Sequence, residues 1–188
     1  MTRSSTPRRR LVAGDDLAVV AGQLGRRPRP ISRVVRRCPF GLPAVVETLP
    51  VDETGRPFPT LFYATCPTLV VAIGALEESG GVRRFEWRLR DDPVLARSVV
   101  AATRYVRRRR RDLVAAYGLD SVDGGASLRT GIGGVADPDT LKCLHAHAAQ
   151  ALARPGYGLG EAVLAEAGDL WCADRRCAAW AGAEADGP

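Results

Sequence analysis

The hydrophobic pattern of this chain changes from mainly strand-like to mainly helical at the Cys66-Pro67 step, and that change limits the folds it can adopt. Before the step, residues 44–49 and 60–66 are short segments rich in β-branched and aromatic residues, which is typical of strands. Residues 50–59 between them are rich in proline and turn-forming residues. An antiparallel hairpin is therefore the simplest arrangement of this half.

After Pro67 the apolar residues recur at helical spacing. One helix is predicted from Leu69, Ala72, Ile73 and Leu76, which fall at i, i+3, i+4 and i+7. A long helix is predicted over residues 92–117, because Asp92 and Pro93 are typical of a helix start. Two more helices are predicted over residues 137–154 and 160–167, and a short one over residues 15–25.

Strands followed by helices indicate the α+β class. We predict a single α+β domain over residues 13–180, with a small antiparallel sheet of two or three strands packed against several helices. Residues 82–89 alternate in part and are expected to supply the third strand. Residues 1–12, which are basic and poor in apolar side chains, are expected to be a disordered tail, and residues 181–188 a frayed end.

No apolar run approaches the roughly 20 residues that cross a membrane, and no apolar stretch of secretory type follows the basic N-terminus. A cytoplasmic location without a membrane span is therefore expected. The five cysteines are an odd number, which favours reduced thiols over a disulfide framework. The pattern assigns no role to Cys172 or Cys177.

The basic composition has an explanation that involves no partner. Of 27 Lys and Arg residues only Lys142 is a lysine, and the chain contains no asparagine, as is typical of a GC-rich genome. Nucleic acid is therefore not the expected partner, in spite of the net charge of +6. The run Arg107–Arg111 is interpreted as a solvated helix end, with phosphate contact as the alternative.

The segment Lys142 to His147 concentrates reactive side chains. Both histidines of the chain, its only lysine and one cysteine lie within six residues. On the predicted helix, Cys143 and His147 share one edge, while Lys142 and His145 share the other. A histidine at such an edge is either a ligand or base, or an ordinary hydrogen-bonded residue at the border of the core.

Two Cys-Pro steps suggest a metal site. The predicted hairpin brings Cys38, before the first strand, close to Cys66, at the end of the second. If the helix with Cys143 packs across this end, then Cys143, His145 and His147 would join them as ligands for zinc or iron. The spacing is not a metal signature, and a Cys143 nucleophile with His147 as its base is an alternative use of the same residues.

A glycine-rich loop precedes this segment, with five glycines over residues 124–134. Such a loop before a helix can bind an anion through its N–H groups, although a flexible connection is the more ordinary interpretation. Arg129 lies in the loop. With Lys142 and His145 it forms the predicted binding site for a small anionic ligand.

Several motifs occur in a fixed order within residues 15–170. They are Cys38-Pro39-Phe40-Gly41, Pro57-Phe58-Pro59-Thr60-Leu61-Phe62-Tyr63, Thr65-Cys66-Pro67, Leu76-Glu77-Glu78-Ser79-Gly80 and Lys142-Cys143-Leu144-His145. Together they resemble the bacterial domain-of-unknown-function 501 family. The resemblance implies an uncharacterised cytoplasmic bacterial protein of actinobacterial type and gives no reaction. The chain departs from the family pattern at Gln150, where a second histidine is usual; His147 is present instead.

The sequence therefore predicts a Cys/His/Lys pocket that binds a metal ion or a small anionic ligand. A hydrolase or thiol-dependent enzyme that uses this pocket is one alternative. A non-catalytic interaction protein is another, and its link to cell division is what the family resemblance implies. Neither a substrate nor an oligomeric state follows from the pattern.

Overall fold

The computed structural model describes residues 12, 14–52, 54–137 and 140–182. Three strands and six α-helices follow one another in this part of the chain. They are α1 (Gly14–Leu24), β1 (Ile31–Arg37), β2 (Pro43–Thr48), β3 (Phe62–Ala64), α2 (Pro67–Glu78), α3 (Gly81–Asp91), α4 (Pro93–Tyr117), α5 (Leu144–Ala153) and α6 (Gly158–Glu166). The expected tails, residues 1–12 and 181–188, fall outside the described residues except for Val12, Ala181 and Gly182.

The strands form one antiparallel sheet in the order β1-β2-β3. Val45 pairs with Ala64, and Val46 with Tyr63, so β2 and β3 make the predicted hairpin. The sheet with its surrounding helices confirms the predicted α+β class.

The third strand differs from the predicted one, because residues 82–89 lie in helix α3 and β1 supplies the edge strand instead. Phe85 and Leu89 are buried four residues apart, whereas Trp87 between them is 60% exposed. A strand would place all three side chains on one face. A helix separates Trp87 from the other two.

Helix α4 follows its prediction at both ends. The Asp92 side chain accepts the backbone N–H groups of Val94 and Leu95, at 2.8 and 3.1 Å. Pro93 occupies the first turn, and Gly118 closes the helix in the left-handed conformation, with φ of 59°. All of these signals are local, which is why the sequence predicts this helix well.

Helix α5 begins later than predicted, at Leu144, after an extended Cys143. Lys142 and Cys143 precede the helix, so the predicted helical edges do not apply to them. The side chain of Glu77, at the end of α2, accepts the N–H groups of Leu144 and His145 and so caps α5. Pro138 and Asp139, near the predicted start, lie outside the described residues.

The sheet is covered on both faces. Val45 and Phe62 lie in the main core with the helices that follow the sheet in the chain. Val46, on the opposite face, packs with Val20 of α1 in a smaller cluster. This arrangement places β1 and β2 beside α4 and brings the arginine run of α4 against the sheet.

Candidate functional site

His147 lies in the core of the molecule. Its side chain is fully buried, and its Nδ1 lies 2.6 Å from the hydroxyl of Tyr157, which is buried as well. Burial lowers the pKa of His147 to about 4. A neutral imidazole that accepts a hydrogen bond from the phenol O–H satisfies this geometry, and the role of His147 as a ligand or base stays a prediction.

His145 is half-buried, and both of its ring nitrogens have partners. Nδ1 lies 3.1 Å from the carboxylate of Glu77, and Nε2 lies 3.0 Å from the carbonyl oxygen of Val70. The ring therefore bridges α5 to α2. Any ligand at His145 would have to displace one of these contacts and would meet the negative charge of Glu77.

Among the described residues, no hydrogen bond or ion pair joins the side chain of Cys143, Lys142 or Arg129 to the His145 ring. The Cys143 thiol is half-buried, and burial raises its pKa, the opposite of what an activated nucleophile requires. Lys142 and Arg129 are exposed.

The thiols of Cys38 and Cys66 have the thiol of Cys177 as a neighbour, where the sequence predicts Cys143. Burial raises the pKa of Cys66, and the nearby thiols of Cys177 and Cys38 add to the increase. Cys177 is buried within the C-terminal 3₁₀ turn, Arg176–Trp180, and Gln23 donates a hydrogen bond to it. The charges that act on Cys143 are instead those of Glu77 and Lys142.

Among the described residues, no group of three or more His, Cys, Asp or Glu side chains is arranged to hold a metal ion. The zinc or iron site therefore stays a prediction from the sequence, without support from these positions.

The arginine run contains the strongest concentration of charge, and its members point in different directions. Arg110 is fully buried, Arg109 is half-buried, and Arg108 and Arg111 are exposed. Five consecutive helical residues go around the helix axis, since each is turned by about 100°. The prediction that the run is a solvated helix end is therefore correct only for its exposed members, Arg108 and Arg111.

Arg110 connects the glycine-rich loop to α4 through hydrogen bonds. Its guanidinium donates to the carbonyl oxygens of Thr130 and Gly131, at 2.8 and 3.0 Å, and to that of Pro59. Burial, together with the charge of Arg107, lowers the pKa of Arg110 to about 10, so it stays charged at neutral pH. The loop turns carbonyl oxygens toward a cation, which is the reverse of an anion-binding loop.

Glu47 is a fully buried carboxylate beneath the same helix. Arg109 binds it through two hydrogen bonds of 2.7 and 2.8 Å, Arg33 binds it at 3.0 Å, and Ser32 donates to it at 2.6 Å. Burial alone would raise the pKa of Glu47, but these hydrogen bonds lower it to about 2. The ionised carboxylate fixes Arg33 of β1 and Arg109 of α4 in place.

A concave surface lies on the outer side of α4. Its first cavity, of about 480 Å³, is lined by Ala101, Arg104, Tyr105, Arg107, Arg108 and Arg111. None of these four arginines forms an ion pair within the described part of the chain. The spacing i, i+3, i+7 and i+10 of Ala101, Arg104, Arg108 and Arg111 is the signal in the sequence that places these residues on one face of a helix.

A second cavity, of about 500 Å³, adjoins the first and shares Tyr105 and Arg108 with it. Its other lining residues come from β1 and from further along α4: Ser32, Arg33, Arg109, Asp112 and Tyr117. We call the two cavities together the arginine surface. Tyr105 is held rigidly in its middle, because the Arg154 guanidinium lies 3.9 Å from its ring centroid and Phe62 stacks on the ring.

None of the helices in the described residues is both long enough and apolar enough to cross a membrane.

Comparison with known proteins places the chain in a family. No curated protein and no solved structure matches it. The family model described as "Protein of unknown function (DUF501)" matches residues 34–165, a range that includes Glu47 and all of α4. Because this match extends over most of the chain, the protein belongs to the DUF501 family.

Proposed function

We propose that this protein binds a phosphate-bearing anionic ligand at the arginine surface. The observation that carries the proposal is the lining of the first cavity, which brings four guanidinium groups together without a carboxylate. Guanidinium groups match the geometry of phosphate oxygens and keep their charge at any physiological pH. Their mutual repulsion is relieved when an anion binds between them.

Position, and not the number of arginines, supports this proposal. The chain has 21 acidic residues, enough to pair with most of its 27 basic ones. Elsewhere, arginines such as Arg37 and Arg88 do pair with carboxylates. A codon bias toward arginine accounts for how many there are, but it does not explain why four of them line one cavity.

The lining also favours binding over catalysis. Among the described residues that line the first cavity, there is no carboxylate, histidine or cysteine, the groups that most often transfer protons or act as nucleophiles. The alternative anion site at Lys142, His145 and Arg129 has less support, because the His145 ring is already engaged on both sides. We therefore propose a binding protein and no reaction.

Isothermal titration calorimetry with inorganic pyrophosphate tests the proposal. In the test variant, R104A/R108A/R111A, three exposed arginines of the first cavity are removed. The control variant, R27A/R83A/R90A, removes the same charge from exposed positions outside both cavities. We expect the test variant to bind at least about tenfold more weakly than the wild type, since one charged hydrogen bond contributes about 1.5–3 kcal/mol.

The control variant should stay within about twofold of the wild type, because screening removes most of the effect of distant charges. Equal losses in the two variants would show a response to net charge alone and would reject the site. So would the absence of pyrophosphate binding to the wild-type protein.

A further inference from the structure

We infer that the ligand of the arginine surface is single-stranded nucleic acid, bound without regard to its sequence; this inference rests on the proposed function. It is motivated by the extent of the surface, since the two cavities of about 480 and 500 Å³ share Tyr105 and Arg108. A single phosphate group would occupy only a small part of either one.

The spacing of the charges fits a chain of phosphates. Arg104 and Arg111 are separated by seven helical residues, or about 10 Å along the helix. The phosphates of one strand repeat along its backbone, so each of the three exposed arginines on this length, Arg104, Arg108 and Arg111, can contact one of them. Arg33 and Arg109 extend the basic track toward β1 in the second cavity.

Glu47 holds Arg33 and Arg109 in fixed orientations before a nucleic-acid strand binds. Arg33 and Arg109 each use Nε and Nη2 to bind the Glu47 carboxylate. Each keeps Nη1 without a hydrogen bond among the described residues. The buried carboxylate fixes the orientation of both guanidinium planes. The two remaining Nη1 groups are therefore in place before a ligand binds, and this lowers the conformational entropy that binding costs. Glu47 is thus a positioning residue and does not itself touch the ligand.

The lining has the groups that hold a strand but few that read bases. Tyr117 lines the second cavity and packs partly against the main core, so the part of its ring that stays exposed can stack on a base. The Tyr105 ring is already engaged, by Phe62 and by the Arg154 guanidinium. Among the described residues, Asp112 is the one carboxylate in the lining, and no Asn, Gln or Glu side chain lines either cavity. Recognition should therefore depend on phosphates and stacking.

Fluorescence anisotropy with labelled 12-nucleotide oligo-U and oligo-A tests the inference on the full chain. We expect the two affinities to agree within about threefold and both to exceed that of uridine monophosphate by at least about 100-fold, because several contacts act together. The logarithm of the affinity should fall with the logarithm of salt concentration with a slope of about −2, for about three phosphates.

Two substitutions examine single elements of the site. Arg108→Ala, at the residue shared by both cavities, should reduce the slope by about 0.7, while Arg83→Ala, on α3, should leave it unchanged. Tyr117→Leu should weaken binding about tenfold through loss of a stacked base, and Tyr117→Phe, which keeps the ring, should not. Thermal unfolding of each variant shows whether it is folded.

The possible outcomes separate this inference from the proposed function. Binding of pyrophosphate at the first cavity without tighter binding of the oligonucleotides would overturn the nucleic-acid inference and leave the proposed function standing. Failure of both ligands would reject both. Equal or tighter binding of a 12-base-pair duplex, a preference above tenfold between oligo-U and oligo-A, or equal effects of R108A and R83A would each overturn the inference.

Discussion

Glu47 and His147 are both fully buried, yet the protein stabilises opposite charge states of the two side chains. Glu47 is ionised because two guanidinium groups and a hydroxyl donate to it. His147 is neutral because burial disfavours the charged imidazolium, and its hydrogen-bond partner, the Tyr157 phenol, carries no charge. The sequence identifies both as ionisable, but their charge states depend on partners from other segments. For this reason the predicted role of His147 as a ligand or base could not be decided from spacing.

The His147 environment predicts a dependence of stability on pH. Its pKa in the folded protein is lowered from 6.5 to about 4. The unfolded chain therefore binds a proton at higher pH than the folded one. The free energy of unfolding should fall as the pH decreases from about 6.5 to about 4, by up to about 3 kcal/mol from this residue.

Chemical denaturation of wild type, His147→Gln and Tyr157→Phe at several pH values measures this effect. The His147→Gln variant should lose the part of the slope due to the imidazole. Tyr157→Phe should keep it, since burial and not the phenol causes the shift. A variant H147Q whose stability falls as steeply as that of the wild type would contradict the assignment.

At the scale of secondary-structure elements, the end of a helix can be predicted from the sequence when its capping residues lie next to it in the chain. Helix α4 is predicted well because Asp92, Pro93 and Gly118 adjoin it. The start of α5 is not, because its capping side chain, Glu77, comes from 67 residues away. The prediction of a strand over residues 82–89 was wrong for a similar reason. The exposure of Trp87 depends on which elements pack against α3, and the sequence does not show them. Local chemistry is visible in a sequence, whereas a cap supplied by another element is not.

The cap that Glu77 provides gives an element-scale prediction. Glu77→Ala should destabilise the protein by about 1–2 kcal/mol, because it leaves the first N–H groups of α5 and the His145 ring without their acceptor. Glu78→Ala, at the exposed neighbouring position, should change the stability by less than about 0.5 kcal/mol. Urea unfolding of both variants measures the difference. Equal values for the two would show that the contact contributes nothing.

At the scale of the whole molecule, the class of fold was predictable and the arginine surface was not. Strand-like and helix-like periods occupy separate halves of the chain, and the α+β class follows from that order. The arginine surface depends on which side chains of α4 meet Glu47, the glycine-rich loop or solvent. The sequence contains 27 basic residues and does not show which of these contacts each arginine makes. The packing of β1, β2 and α4 shows it.

The ends of the described chain are joined by a contact that lies outside the family match. Helix α1 covers the outer face of the sheet, and the 3₁₀ turn Arg176–Trp180 packs on α1. Both fall beyond residues 34–165. A Cβ atom at Gly22 would overlap the indole ring of Trp180. The absence of a side chain at Gly22 therefore allows the C-terminal turn to seat on α1.

Two glycine substitutions test this contact, because the sign of the effect should differ between them. Gly74→Ala, inside α2 with nothing within 4 Å, should stabilise the protein by about 0.5–1 kcal/mol through helix propensity. Gly22→Ala makes the same change inside α1 but displaces Trp180, so we expect a loss of about 1–3 kcal/mol. Combining Gly22→Ala with Trp180→Ala should remove the penalty, because the clash is with the indole ring. If Gly22→Ala stabilises the protein as Gly74→Ala does, the turn is not seated on α1.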